Sequence, residues 1–175
     1  SAPATDQGSI LKDAALAADG SVWAFGNKGA QLFGMHVAAN GTLQWSKSFN
    51  TTVNPANVRV VTRADGGVST LHWDTTTVAP EVSTFSTTGS RLWHVASELA
   101  LSSDQSLVKL NLATGSDGDV VAAVLYHESV TTYLKQTRFN SNGAVRYTGL
   151  PQAEPAEPLR NSISLATYPD DTSLT

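Results

Sequence analysis

The chain holds four histidines, His36, His72, His94 and His127. No two of them stand at a metal-ligand spacing within one segment, so a zinc site would need convergence from distant stretches. The expectation is four separate imidazoles, on the surface or half-buried. Asp13, Asp19, Asp65, Asp74, Asp117, Asp170 and Asp171 lie mostly in turn-forming sequence. There an aspartate side chain accepts hydrogen bonds from backbone N–H groups nearby. Asp117 and Asp119, with Ser116, offer oxygens for Ca²⁺. The spaced ligand series of a calcium loop is missing, and a hairpin turn is the simpler role. No pair of carboxyls is singled out as an acid and base facing each other across a cleft.

Other chemistries lack their residues. There is no cysteine, which excludes thiol catalysis, thiolate metal sites and disulfides. Gly115-Ser116-Asp117-Gly118 does not have the spacing of a Gly-x-Ser-x-Gly nucleophile elbow. No glycine-rich phosphate loop follows a strand and opens a helix, so nucleotide binding has no support. Trp23, Trp45, Trp73 and Trp93 suit stacking on sugars, but Trp45 and Trp93 share a repeat position with Tyr147. That points to packing between repeats, and Trp23 and Trp73 fall in second strands, where a core role is expected. No catalytic, cofactor-binding or metal-binding residue is assigned, and no cofactor is expected. Asn40-Gly41-Thr42 and Asn50-Thr51-Thr52 are glycosylation sequons, relevant only to a eukaryotic exported chain.

The elements that must carry these residues are short strands. Across 175 residues, 41% are hydrophobic and 15% charged, below the roughly 25% charge of an average soluble protein. Ser, Thr, Gly and Asn fill the difference, which suits strands joined by tight turns. Net charge is −4 and the pI near 5.4, without the clustered Lys and Arg that a phosphate backbone requires. Neither nucleic acid nor an anionic membrane surface is an expected partner. No apolar run approaches the ~18–20 residues of a membrane helix, so no membrane insertion is expected.

Two turn types alternate along the chain. Asp-Gly turns occur at Ala18-Asp19-Gly20-Ser21, Ala64-Asp65-Gly66-Gly67 and Ser116-Asp117-Gly118-Asp119, with a fainter copy at Pro169-Asp170-Asp171-Thr172. The second type is a glycine turn followed four residues later by an aromatic: Gly41 and Trp45, Gly89 and Trp93, Gly143 and Tyr147. Successive Asp residues are 46, 52 and 53 positions apart. Asp-Gly and Asn-Gly are strong hairpin signals, here expected as type I′ turns.

Between the turns the expected strands are 10–17, 22–26, 32–38 and 43–49, then 58–63, 68–73, 81–86 and 92–96. A third set is 107–112, 120–126, 132–140 and 145–148, and a fourth begins at 162–167. Alternation such as Tyr133/Lys135/Thr137/Phe139 against Leu134/Gln136/Arg138 gives the period of two that separates sheet faces. A helical turn is expected within 97–104.

Segments such as Ala18-Asp19-Gly20-Ser21-Val22-Trp23-Ala24-Phe25-Gly26 and Asn40-Gly41-Thr42-Leu43-Gln44-Trp45-Ser46-Lys47-Ser48-Phe49 carry a resemblance. They resemble the degenerate repeats of exported bacterial β-propellers of the WD40-like and PQQ-like class. The resemblance implies an all-β, propeller-like array of four-stranded antiparallel blades: about three blades plus the start of a fourth, in an incomplete ring. The expected divisions are an N-terminal extension (1–8), blade 1 (9–50), blade 2 (51–98), blade 3 (99–150), a proline-rich connector (151–159) and the start of blade 4 (160–175). Three prolines in Pro151-Gln152-Ala153-Glu154-Pro155-Ala156-Glu157-Pro158 favour an extended, solvated connector.

The functional expectation is a non-catalytic binding or scaffold module, secreted or at the cell surface, presenting loops on a propeller-like framework. The expected partners are another polypeptide segment or chain that completes the β assembly, and a protein or carbohydrate ligand. The alternative is a non-catalytic accessory part of a secreted hydrolase or protease whose active site lies outside this chain.

Overall fold

The computed structural model describes residues 8–115, 117–149 and 152–154. The expected blade 4, its Pro169–Thr172 turn, residues 1–7 of the N-terminal extension, Ser116 and the connector prolines lie outside the described residues. The fold is all-β and propeller-like, a row of three four-stranded antiparallel meanders.

Blade 1 comprises β1 (Ser9–Leu16), β2 (Val22–Lys28), β3 (Gln31–Val37) and the first half of β4 (Leu43–Thr62). That 20-residue strand does not stop at the blade boundary. Gln31 to Val37 of β3 pair with its first half, and Val68 to Asp74 of β5 pair with its second. Blade 2 is completed by β5 (Val68–Asp74), β6 (Ala79–Phe85) and β7 (Arg91–Val95). A 3₁₀ turn at Ser97–Leu99 leads into blade 3, with β8 (Gln105–Thr114), β9 (Val120–Glu128), β10 (Thr131–Phe139) and β11 (Val145–Thr148).

Asp-Gly, Asn-Gly and Thr-Gly turns close these meanders in one shared geometry. Ala17 N donates to Ser21 O and Gly20 N to Ala17 O, and the same pair of bonds recurs at Arg63/Gly67 and Gly115/Asp119. It recurs again at Ala38/Thr42, Ser86/Ser90 and Asn140/Ala144. These are three-residue loops in which the glycine is left-handed, with φ from 72° at Gly89 to 84° at Gly41. The type I′ expectation is therefore corrected. The aspartate stays at negative φ and spends its carboxylate on the loop, Asp19, Asp65 and Asp117 each accepting from the N–H two residues on. This is the type I turn with a glycine bulge that three-residue hairpins favour.

The connector also differs from expectation. Gln152–Glu154 form a strand, β12, whose backbone pairs with Thr132–Leu134 of β10 beyond the end of β11. None of those three residues is proline, so each keeps the N–H that an edge strand requires.

Cross-strand register puts three rows of equivalent residues on one face of each blade. The rows are Leu16–Val22–Val37–Leu43, Thr62–Val68–Phe85–Arg91 and Thr114–Val120–Phe139–Val145. Directly opposed residues share a face. A bulge falls at the same place in each blade, beside His36/Val37, Thr84/Phe85 and Arg138/Phe139.

The apolar cores lie between blades. One packs Trp23, Phe25 and Leu32 of blade 1 against Val58, Val60, Val68 and Phe85 of blade 2. The other packs Leu71 and Val82 of blade 2 against Leu110, Leu112, Val120, Val124 and Phe139 of blade 3, with Leu99 beneath. Each blade buries both faces only when it has two neighbours, the rule for repeat architectures.

Candidate functional site

A buried cluster of ionisable groups is built on three adjacent strands of blade 2. Register sets His72 opposite Glu81 and Ser83 opposite His94. Because Glu81 and Ser83 are two apart on one strand, they share a face, and the Ser83 hydroxyl donates to Glu81 Oε1 at 2.8 Å. His72 Nε2 lies 3.5 Å from Oε1, and His94 Nδ1 lies 3.4 Å from Oε2. Arg91 Nη1 stands 3.8 Å from Oε1 and donates to Thr51 Oγ1 at 2.8 Å.

Burial alone would raise the pKa of Glu81. The His72 imidazole 3.5 Å away, the Ser83 hydroxyl and His94 outweigh it and hold the carboxyl at about 2. A carboxylate held that low is a weak base near neutrality and is not available as an acid. Glu81 is 4% exposed and His72 fully buried; the His94 side chain and, less fully, that of Arg91 reach solvent. The arrangement can anchor charge inside the blade.

The expectation of four separate histidines is corrected here: two of them converge on one carboxylate. They meet different oxygens, and no group of His, Asp and Glu among the described residues is arranged to hold a metal ion. His36 lies elsewhere, stacked on Trp23 with centroids 4.0 Å apart. Burial lowers its pKa, with Asp19 pulling the other way. His127 is exposed beside Thr132 on the β9–β10 hairpin.

The Asp117 and Asp119 oxygens are engaged by arginines. Asp119 Oδ2 accepts from Arg138 Nε and from Arg146 Nε, each at 2.8 Å, and Asp117 Oδ2 accepts from Arg138 Nη2 at 2.8 Å. Burial opposes ionisation of Asp117, but the Asp119 N–H and Arg138 reverse that and lower its pKa. Two guanidiniums supply the positive charge a Ca²⁺ ion would bring. Between the Asp-Gly turns of blades 2 and 3 lies a depression of about 190 Å³, lined by Arg63, Asp65, Asp117 and Gly118. That is smaller than the roughly 300–1,000 Å³ of small-molecule sites.

The tryptophans form a repeated joint. Trp45 Nε1 donates to Thr87 O at 3.1 Å, and Trp93 Nε1 donates to Ser141 O at 2.8 Å. Each acceptor lies two residues before the glycine of the next blade's turn. Each ring lies against that glycine: a Cβ on Gly89 would sit 2.6 Å from Trp45, and one on Gly143 2.7 Å from Trp93. Thr62 Oγ1 donates to Leu16 O and Thr114 Oγ1 to Thr62 O, a matching rung on the first strands. Trp23 is fully buried and Trp73 half-buried. The packing role read from the shared position of Trp45 and Trp93 holds. Sequence reasoning missed Glu81, Arg91, Arg138, Arg146 and the threonine rung. Only the rung left a signal, a threonine three residues before each of Asp65 and Asp117.

No family model matches the chain, and none of the curated proteins compared matches it. Among solved structures, it is similar to a catalytically inactive virginiamycin B lyase from Staphylococcus aureus with quinupristin, at 11% identity and a TM-score of 0.49. The match covers 97% of this chain and 64% of that one, so the chain spans less than two thirds of that protein's length. No helix among the described residues is long and apolar enough to cross a membrane.

Proposed function

We propose that this chain is a non-catalytic binding or scaffold module, exported or displayed at a cell surface, that contributes blades to a larger β assembly. The finer kinship proposed is with the degenerate repeats of exported bacterial propellers of the WD40-like and PQQ-like class. Its ligand, a protein or a carbohydrate, is met by loops at the blade ends, as propellers bind through one rim.

One observation carries the reading. The tryptophan joint is made twice inside the chain, and half of it stands bare at each outer blade. Tyr147, in the position of Trp45 and Trp93, is 61% exposed. The Gly41 turn, in the position of Gly89 and Gly143, has no described residue within 4 Å of where a Cβ would sit. The ionisable groups that would serve catalysis are instead tied to one another.

The test is the mass of the particle that contains this polypeptide in its native source. A particle heavier than 18.4 kDa, with the isolated chain inert toward glycoside, peptide and ester substrates, is the expected result. A native particle of 18.4 kDa, or turnover by the isolated chain, overturns it.

A further inference from the structure

We infer that the depression between the Asp-Gly turns of blades 2 and 3 is a subsite for one ring of a neutral sugar, held through its hydroxyls by Arg63, Asp65 and Asp117. The inference rests on the binding-module reading above and names the class of ligand that its loops meet.

Arg63 departs from its repeat. It opens the blade 2 turn, its backbone N–H donating to Gly67 O, where Ala17 and Gly115 open the turns of blades 1 and 3. The same hairpin closes over a methyl group and over no side chain at all, so the turn itself needs no guanidinium. Yet the Arg63 side chain is only 5% exposed, and its Nη2 donates to Asp65 Oδ2 at 2.7 Å. Nε and Nη1 are buried with no hydrogen-bond partner among the described residues. Most donors of one charged group are thus unpaired, where buried polar groups are nearly always paired.

Arg63 lines the depression of about 190 Å³ together with Asp65, Asp117, Gly118 and Ser141. The Asp65 and Asp117 side chains are 53% and 34% exposed. Each has one oxygen on a turn N–H and the other on an arginine, Arg63 for Asp65 and Arg138 for Asp117. A carboxylate oxygen accepts more than one hydrogen bond, so both aspartates can take a further donor.

Donors and acceptors side by side select the chemistry of the ligand. A cation meets Arg63 and Arg138, and an anion meets two carboxylates. A hydroxyl accepts from a guanidinium and donates to a carboxylate at once, and a sugar ring carries such hydroxyls on neighbouring carbons. The space of 190 Å³ equals about six water molecules at roughly 30 Å³ each, the scale of one ring. Asp65, the more exposed of the two aspartates, is the side chain that a ring displaces to reach Nε and Nη1.

The test is a nuclear magnetic resonance titration of the full, isotope-labelled chain. The probes are the methyl glycosides of glucose, galactose, mannose, fucose and N-acetylglucosamine. One of them is expected to give a saturable shift of the Arg63 Nε–H signal and of the Asp65 and Gly118 amides, at the millimolar affinity of a single small contact. Arg63→Met keeps a long side chain and removes the donors. It is expected to weaken that sugar at least about 10-fold while melting no lower than the parent, because an unpaired buried charge is gone. Asp65→Ala, at an exposed side chain, is the second variant and is expected to weaken it likewise.

Silence toward all the glycosides overturns the inference. So does binding that survives both substitutions, or acetate or glucuronate bound more tightly than any neutral sugar. An Arg63→Met chain that melts well below the parent overturns it too, since Arg63 would then belong to the fold. A silent titration beside a native particle heavier than 18.4 kDa removes the sugar and leaves the module reading. A sugar both bound and turned over removes the non-catalytic reading and leaves the site.

Discussion

At the scale of single residues, Glu81 shows how environment sets chemistry. Its folded-state pKa, about 2, lies below the ordinary 4.5. The folded protein therefore holds fewer protons than the unfolded chain in that window. The contribution is complete above about pH 4.5 and is lost as pH falls toward 2, an effect on the order of 3 kcal/mol. Acid unfolding curves of the parent and Glu81→Gln are expected to converge at low pH. Above that window the variant is expected to be weaker by roughly 3 kcal/mol, because the Ser83 hydroxyl and Arg91 lose their anion. A variant with the parental acid limb would show that Glu81 is not the group responsible. Trp93 is the matching case for packing. Trp93→Ala removes the ring between blades 2 and 3 and its bond to Ser141, and is expected to lower unfolding free energy by about 2–4 kcal/mol. Trp93→Phe keeps the ring and loses the bond, at about 1 kcal/mol. Urea denaturation separates the two.

At the scale of elements, the glycine turns do two jobs that can be pulled apart. Gly41 and Gly89 both need positive φ, but only Gly89 lies against a tryptophan. Gly41→Ala is expected to cost about 1 kcal/mol from backbone conformation alone. Gly89→Ala adds a Cβ 2.6 Å from the Trp45 ring, raising the cost to roughly 2–4 kcal/mol. Thermal melts read the difference, and equal costs would mean that the ring moves aside freely. The strands were legible in the sequence because turn residues bracket them and β-branched residues fill them. The turn subtype was not, since Asp-Gly fits both a two-residue and a three-residue hairpin. The loop length that separates them follows from how many residues the paired strands consume. Gln152–Glu154 escaped notice for a related reason: prolines flank the segment, and only the vacant edge of β10 gives it a partner.

At the scale of the whole molecule, stability is a chain of neighbour contacts. Blade 2 has both faces covered, and β5 and β6 are almost wholly buried. Blade 3 ends in β11, exposed along its length. Amide hydrogen exchange is therefore expected to be slowest in β5 and β6 and fastest in β11 and in β1, with the order following burial. Uniform protection across the three blades would show that they open as one unit.

The repeat period, the strands, and the match of Trp45 and Trp93 with Tyr147 were decided by local chemistry, because turn residues and alternation act within a few positions. Which side chains meet was decided by the tertiary fold. Glu81 joins His72 and His94 across three strands through a register that no local pattern encodes. Asp119 meets Arg138 and Arg146 for the same reason. Contacts between distant segments depend on how sheets align and stack, and that alignment exists only once the blades have folded against one another.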